Sequence, residues 1–179
     1  MEALDAIFTR RSIRKFTADP ITADEERILL KAAMCAPNTV NYRDWAFLVI
    51  REKETLRKLS EALSPNAPDL KNVPLSIVVC GDLTLTLRGL EEYWAQDCSL
   101  AAENLLIAAN AIGLGAVWYG CYPQWNKVAS VSKLLKLPRH IIPLCVLGVG
   151  HPAEQKPDVS ESRYELHKIH HERWENKEG

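Results

Sequence analysis

Seven residues, Arg10-Arg11-Ser12-Ile13-Arg14-Lys15-Phe16, hold four cations and a hydroxyl. Arginine presents a planar fork of N–H donors that matches phosphate oxygens, and a neighbouring serine adds a short hydroxyl donor. The stretch reads either as a phosphate cradle or as a solvated charge run, and by itself it leaves both open. Other chemistries are poorly supplied. There is no Gly-x-Ser-x-Gly elbow, and no cysteine sits beside a histidine in an electropositive turn, so nucleophilic catalysis has no candidate. Gly113-Leu114-Gly115 follows a helical pattern and lacks the third glycine of a dinucleotide fingerprint, so it reads as a helix stop. His167, His170 and His171 fall at helical spacing without an evident further ligand and read as a solvated face. Asp97 and Glu103 lie too far apart to share a helical face as an acid/base pair, and read as solvent-directed or capping groups or as partners for the arginines.

Composition narrows the partners. At 179 residues the chain fits one domain with a sizeable core, and 22 Lys and Arg against 23 Asp and Glu leave no basic field for a nucleic-acid backbone or a membrane surface. A small molecule is the default ligand. The start, Met1-Glu2-Ala3-Leu4-Asp5, does not resemble a signal peptide, and Glu103, Asn104 and Asn110 interrupt the longest apolar stretch, so a cytoplasmic location is expected. Five cysteines without a Cys-x-x-Cys pair argue against a disulfide framework or zinc ribbon, and most should be small buried hydrophobes.

The elements that must position the arginines follow from periodicity. Leu4, Ile7 and Phe8 predict an amphipathic helix from Glu2 to Arg10 that delivers the stretch. Thr22 with Glu25 forms a capping box that opens a helix carrying Ile28, Leu29, Ala32 and Ala33, which Pro37 ends. A polar turn then leads to an apolar run, Trp45 to Ile50, expected as a buried strand. Lys53 to Leu63 reads as a surface helix, Ser64 to Pro74 as a loop with three prolines, and Leu75 to Cys80 as a strand. Tyr93 to Ile112 is apolar around most of its circumference, so it should be a helix buried in the domain or against another copy. Ala116 to Tyr119 and Ile141 to Val149 are strands, and Val128 to Leu135 is a short helix. The tail from His151 onward has too little apolar surface for its own core and should fray or pack across a neighbour. The result is one domain, 1–179, with strands and helices interspersed around a central helix.

Three stretches taken together resemble the nitroreductase superfamily of flavin enzymes. They are the arginine stretch, Ala36-Pro37-Asn38-Thr39-Val40-Asn41-Tyr42-Arg43-Asp44-Trp45, and the run from Asp97 to Trp118; Leu147-Gly148-Val149-Gly150-His151-Pro152-Ala153-Glu154 followed by Arg163 is similar to that family's C-terminal signature. The resemblance implies an α+β fold, with a central mixed and largely antiparallel sheet flanked by helices. It also implies a homodimer with the tail, about 151–179, exchanged onto the partner, and FMN held noncovalently at the interface. Carried over by position, Arg10, Arg11, Ser12 and Arg14 would hold the phosphate, ribityl oxygens and pyrimidine edge. Pro37, Asn38, Thr39 and Asn41 would approach the flavin from the other subunit. Val117, Trp118, Tyr119 and Gly120 would run beside the isoalloxazine, offering backbone N–H groups, and Arg163 would close on the phosphate.

The implied activity is ping-pong transfer of hydride from NADH or NADPH, through flavin N5, to nitroaromatic, quinone or similar acceptors. The cofactor carries the chemistry, so no catalytic side chain and no metal is expected. Two alternatives share the fold: a flavin-binding or flavin-delivery protein without nicotinamide turnover, and a specialised flavin-dependent dehydrogenation or dehalogenation. The chain departs from the usual family pattern at Asn38-Thr39-Val40, where serine and glycine are frequent, at Arg43-Asp44, where Gln-Pro is frequent, at His151, and at Glu161, where a second basic residue is common. The last departure shifts the expected phosphate grip toward Arg10, Arg11 and Arg14.

Overall fold

A computed structural model describes residues 1–86 and 88–174. Four strands, β1 (Trp45–Ile50), β2 (Leu75–Asp82), β3 (Gly115–Gly120) and β4 (Ile141–Gly150), form one antiparallel sheet in the order β1-β2-β4-β3. Helices α1 (Ala3–Thr9), α2 (Ala23–Met34), α3 (Lys53–Ala62), α4 (Trp94–Ala111) and α5 (Trp125–Leu135) complete an α+β domain. Side chains alternate across the sheet and build two cores. Leu75, Ile77 and Val79 pack with Leu29, Ala33, Cys98, Ala101 and Leu105 beneath α2 and α4. Val78, Cys80, Val146 and Val117 pack with Leu56, Leu59 and Val131 beneath α3 and α5.

Local sequence accounts for the element ends. The Thr22 hydroxyl accepts from the Glu25 N–H while the Glu25 carboxylate accepts from the Thr22 N–H, closing the expected capping box at the start of α2. Gly113, at φ +83°, ends the turn after α4 in a conformation that a side chain would strain. α5 begins at Trp125, three residues before the expected start.

Three expectations need correction. β1 lies at the edge of the sheet, with Val49 exposed and only its end residues buried, because no strand pairs with its outer side. On α1, Leu4, Ile7 and Phe8 face outward and only Ala6 is buried, so the helix turns its apolar face away from its own core. Asp97 is buried rather than directed to solvent or to a helix cap. Four of the five cysteines are buried as expected, and Cys35 is exposed. Burial pushes the thiols of Cys80 and Cys121 up to about 12, so neither is a poised nucleophile.

Candidate functional site

The arginine stretch runs along the outer edge of β3. Ser12 bridges Ala116 in parallel register, and the Ile13 N–H donates to the Ala116 carbonyl at 3.0 Å. The approach is close because β3 and β4 offer glycine there. A Cβ on Gly115 would lie 2.8 Å from the Ile13 Cβ, and one on Gly150 would lie 2.7 Å from the Phe16 ring. Past that bridge, Thr17 N–H donates to the His151 carbonyl, and Ala153 N–H donates to the Lys15 carbonyl. Sequence reading missed the residue that ties this join. The Glu154 carboxylate accepts from the backbone N–H of Arg14 at 2.7 Å and of Lys15 at 3.2 Å. Lys156 at 2.7 Å and those two N–H groups hold its carboxyl down at about 2.

The cations divide their work. Arg10 pairs with Glu103 on α4 at 3.3 Å, as one reading of that acid anticipated, and Arg11 donates to the Pro157 carbonyl. Arg14 and Lys15 are exposed, and among the described residues the Arg14 guanidinium makes no hydrogen bond or ion pair. The Lys15 ammonium likewise has no hydrogen bond or ion pair among the described residues, so both of these side chains are open to solvent. Arg163 is also exposed and lines a cleft of about 500 Å³ with Ile7, Phe8, Ser160, Glu161 and Tyr164. None of Arg10 to Arg14 and no residue of β3 lines that cleft, so it is not a complete anion site in one chain.

Along β3, Val117 and Tyr119 point into the core beneath α3 and α5, while Trp118 is half-buried and Gly120 exposed. Ala116 turns its carbonyl outward to Ile13, so by the two-residue period of a strand Trp118 and Gly120 turn their backbone groups to the same open edge. This strand therefore offers main chain rather than the Val117 and Tyr119 side chains to a neighbouring ligand. The Tyr119 hydroxyl is buried without a hydrogen-bond partner, and burial, with Asp69 nearby, pushes it up to about 12.

Pro37, Asn38, Thr39 and Asn41 lie in a loop with unusual backbone. Val40, Asn41 and Arg43 all have positive φ, at 43°, 62° and 55°. Each is a conformation that costs a residue with a side chain about 1 kcal/mol or more. Polar contacts hold the loop: Arg43 N–H donates to Asn38 Oδ1 at 2.9 Å, and Arg43 Nε donates to Asn41 Oδ1 at 3.1 Å. The deepest tie is Asp97, whose Oδ2 accepts from Thr39 N–H at 2.9 Å and whose Oδ1 accepts from the Thr39 hydroxyl at 3.2 Å. A signal for that role was present in the sequence. Trp94, Asp97, Cys98, Ala101 and Leu105 share one helical stripe, so Asp97 belongs to the buried face.

The two halves of the candidate site hang from different sides of α4. Asp97, which holds the loop, and Glu103, which holds Arg10, are six residues apart, or about 120° around the axis. A ligand that touches both the arginine stretch and the 38–43 loop of one chain would have to pass around this helix. No helix of the described residues is long and apolar enough to cross a membrane, and none of their His, Cys, Asp and Glu groups is placed to hold a metal.

The chain is a small α+β domain with a basic segment laid along an open strand edge, and comparison with known proteins places it in a family. The family model "Nitroreductase family" matches residues 7–80 and 65–151. A Methanothermobacter thermautotrophicus protein, provisionally named NADH dehydrogenase/NAD(P)H nitroreductase, is 40% identical over 174 residues, covering 97% of this chain and 88% of its own. The oxygen-insensitive NADPH nitroreductase of Salmonella typhimurium is 32% identical over 169 residues, covering 87% of this chain and 68% of its own. Among solved structures, an FMN-dependent nitroreductase from Clostridium difficile superposes with a TM-score of 0.88 at 28% identity, covering 96% of this chain and 99% of that one. The chain belongs to the nitroreductase family.

Proposed function

We propose that the protein is an FMN-dependent NAD(P)H oxidoreductase, working as a homodimer with the cofactor at the subunit interface. The observation that carries this reading is the Arg10 to Phe16 segment laid along the β3 edge, with Arg14 exposed and unpaired among the described residues beside outward-facing backbone at Trp118 and Gly120. That arrangement fits a ligand with a phosphate at one end and a flat polar-edged ring at the other. When bound, FMN supplies the redox chemistry, accepting hydride from NADH or NADPH and passing it to nitroaromatic, quinone or similar acceptors in a ping-pong cycle.

The chain's own residues bind and orient. Arg14 and Ser12 meet the phosphate and ribityl end, with Arg10 and Arg11 fixing the segment through Glu103 and Pro157. Trp118 and Gly120 present main-chain N–H groups to the ring edge, and Arg163 closes from the tail. The loop carrying Pro37, Asn38, Thr39 and Asn41 comes from the partner subunit, which is consistent with its place around α4 from the arginines. An NAD(P)H donor and cysteines left unbonded fit a cytoplasmic location.

The test is the purified protein. A flavin spectrum that NADH or NADPH bleaches in stopped flow, and that a nitroaromatic or quinone restores, is the expected result. Bound flavin that no nicotinamide reduces would favour a carrier instead. Replacing the exposed guanidinium in Arg14→Ala should weaken FMN binding about 10- to 100-fold, from the 1.5–3 kcal/mol of a charge-assisted hydrogen bond, while the flavin-free variant melts with flavin-free wild type. Full flavin occupancy in that variant would remove Arg14 from the cradle.

A further inference from the structure

Two carboxyls meet under the 38–43 loop where a single carboxylate would suffice to hold it. Asp44 is 2% exposed and Asp97 3% exposed, and Asp44 Oδ1 is buried without a hydrogen-bond partner. The groups facing Asp44 are the Asp97 carboxyl and the Cys98 thiol from α4 and the Asp82 carboxylate from the end of β2. All are acids. The adjacent cation, Arg43, is exposed and directs its Nε to Asn41. Asp97 meanwhile uses both oxygens on Thr39. Two ionised carboxylates cannot share a dry site without a proton between them.

We propose that Asp44 and Asp97 hold one proton between them, and that this shared proton locks the strained 38–43 loop through Thr39, making the pair a pH-responsive positioning device. With the proton present, Asp44 donates to Asp97, the orphaned oxygen is satisfied, and Asp97 stays placed to accept from Thr39. With the proton lost, two buried negative charges repel, and the loop with three residues at positive φ has a strained backbone to relax. Burial, with Asp97 and Asp82 alongside, pushes the Asp44 carboxyl up to about 6, which sets the crossover in the mildly acidic range. Because the folded value lies above the ordinary carboxylate value, the pair is tight below the crossover and loosens as pH rises through it.

This inference rests on the FMN reading only for what the loop serves, and the clamp can be read independently of flavin. Backbone hydrogen exchange over residues 38–43 of the whole protein, corrected for intrinsic rates, should speed up by about tenfold between pH 5 and 7.5, the factor of one pKa unit. In Asp44→Asn the amide donates permanently to Asp97, so protection should stay at its low-pH level throughout. In Asp97→Ala protection should be low at every pH, and if that variant does not fold, Asp44→Asn alone decides. A wild-type profile that is flat, or an Asp44→Asn profile that tracks wild type, overturns the proposal. A pH-dependent loop in protein that binds no FMN would sink the cofactor reading and leave the clamp standing, whereas a flat loop in flavin-loaded protein would do the reverse.

Discussion

At the scale of single residues, the arginines depend on acids that sequence reading ranks low. Glu154 accepts two backbone N–H groups from the stretch that carries the exposed Arg14, so it shapes the proposed cradle through the main chain. Its folded pKa is depressed to about 2 from an ordinary 4.5. A depressed carboxyl adds stability that is fully present above the unfolded value and is lost as pH falls through the folded one. Glu154→Gln should therefore melt below wild type at pH 7, with the gap closing between pH 4.5 and pH 2. Melting curves across that range check it, and a gap that does not change with pH would assign Glu154 a packing role instead.

Among the elements, glycine decides how closely the arginine segment lies against the sheet. A methyl at Gly115 would sit 2.8 Å from Ile13 Cβ and Cγ2, atoms near the backbone that cannot swing away. Gly115→Ala should cost about 1–3 kcal/mol in stability by overpacking and should lower flavin content more than a core cavity of equal cost would. Leu105→Ala, in the centre of α4, provides that comparison in chemical denaturation and absorbance. Most of the element map is legible in the sequence, since the capping box, the β1 run from Trp45 to Ile50 and the long apolar helix each carry a local signal. What is not legible depends on neighbours. Whether β1 is central or at an edge is settled by strand order, and Asp97 reads as polar until its helical stripe is compared with the strained loop it secures. The positive φ values at Val40, Asn41 and Arg43 have no local glycine to announce them.

For the whole molecule, the outward apolar face of α1 and the two half-sites around α4 point the same way. Leu4, Ile7 and Phe8 are each about half exposed or more, and Leu100 on α4 is also exposed. A two-fold interface would cover such a face and bring one chain's loop to the other chain's arginines. Phe8→Asp should yield a monomer by light scattering and lose flavin in the same preparation. A monomeric variant that keeps its flavin would show that one chain suffices.

The open edge of β3 bears on how the protein behaves in a tube. Strand edges with unpaired backbone recruit other strands, and the segment at Ser12 and Ile13 covers this one only as far as Ala116. A cofactor lying along Trp118 and Gly120 would act as a plug against that recruitment. Flavin-stripped protein should then self-associate on storage and be rescued by added FMN, which static light scattering would follow; equal scattering with and without flavin would show that this edge is already protected.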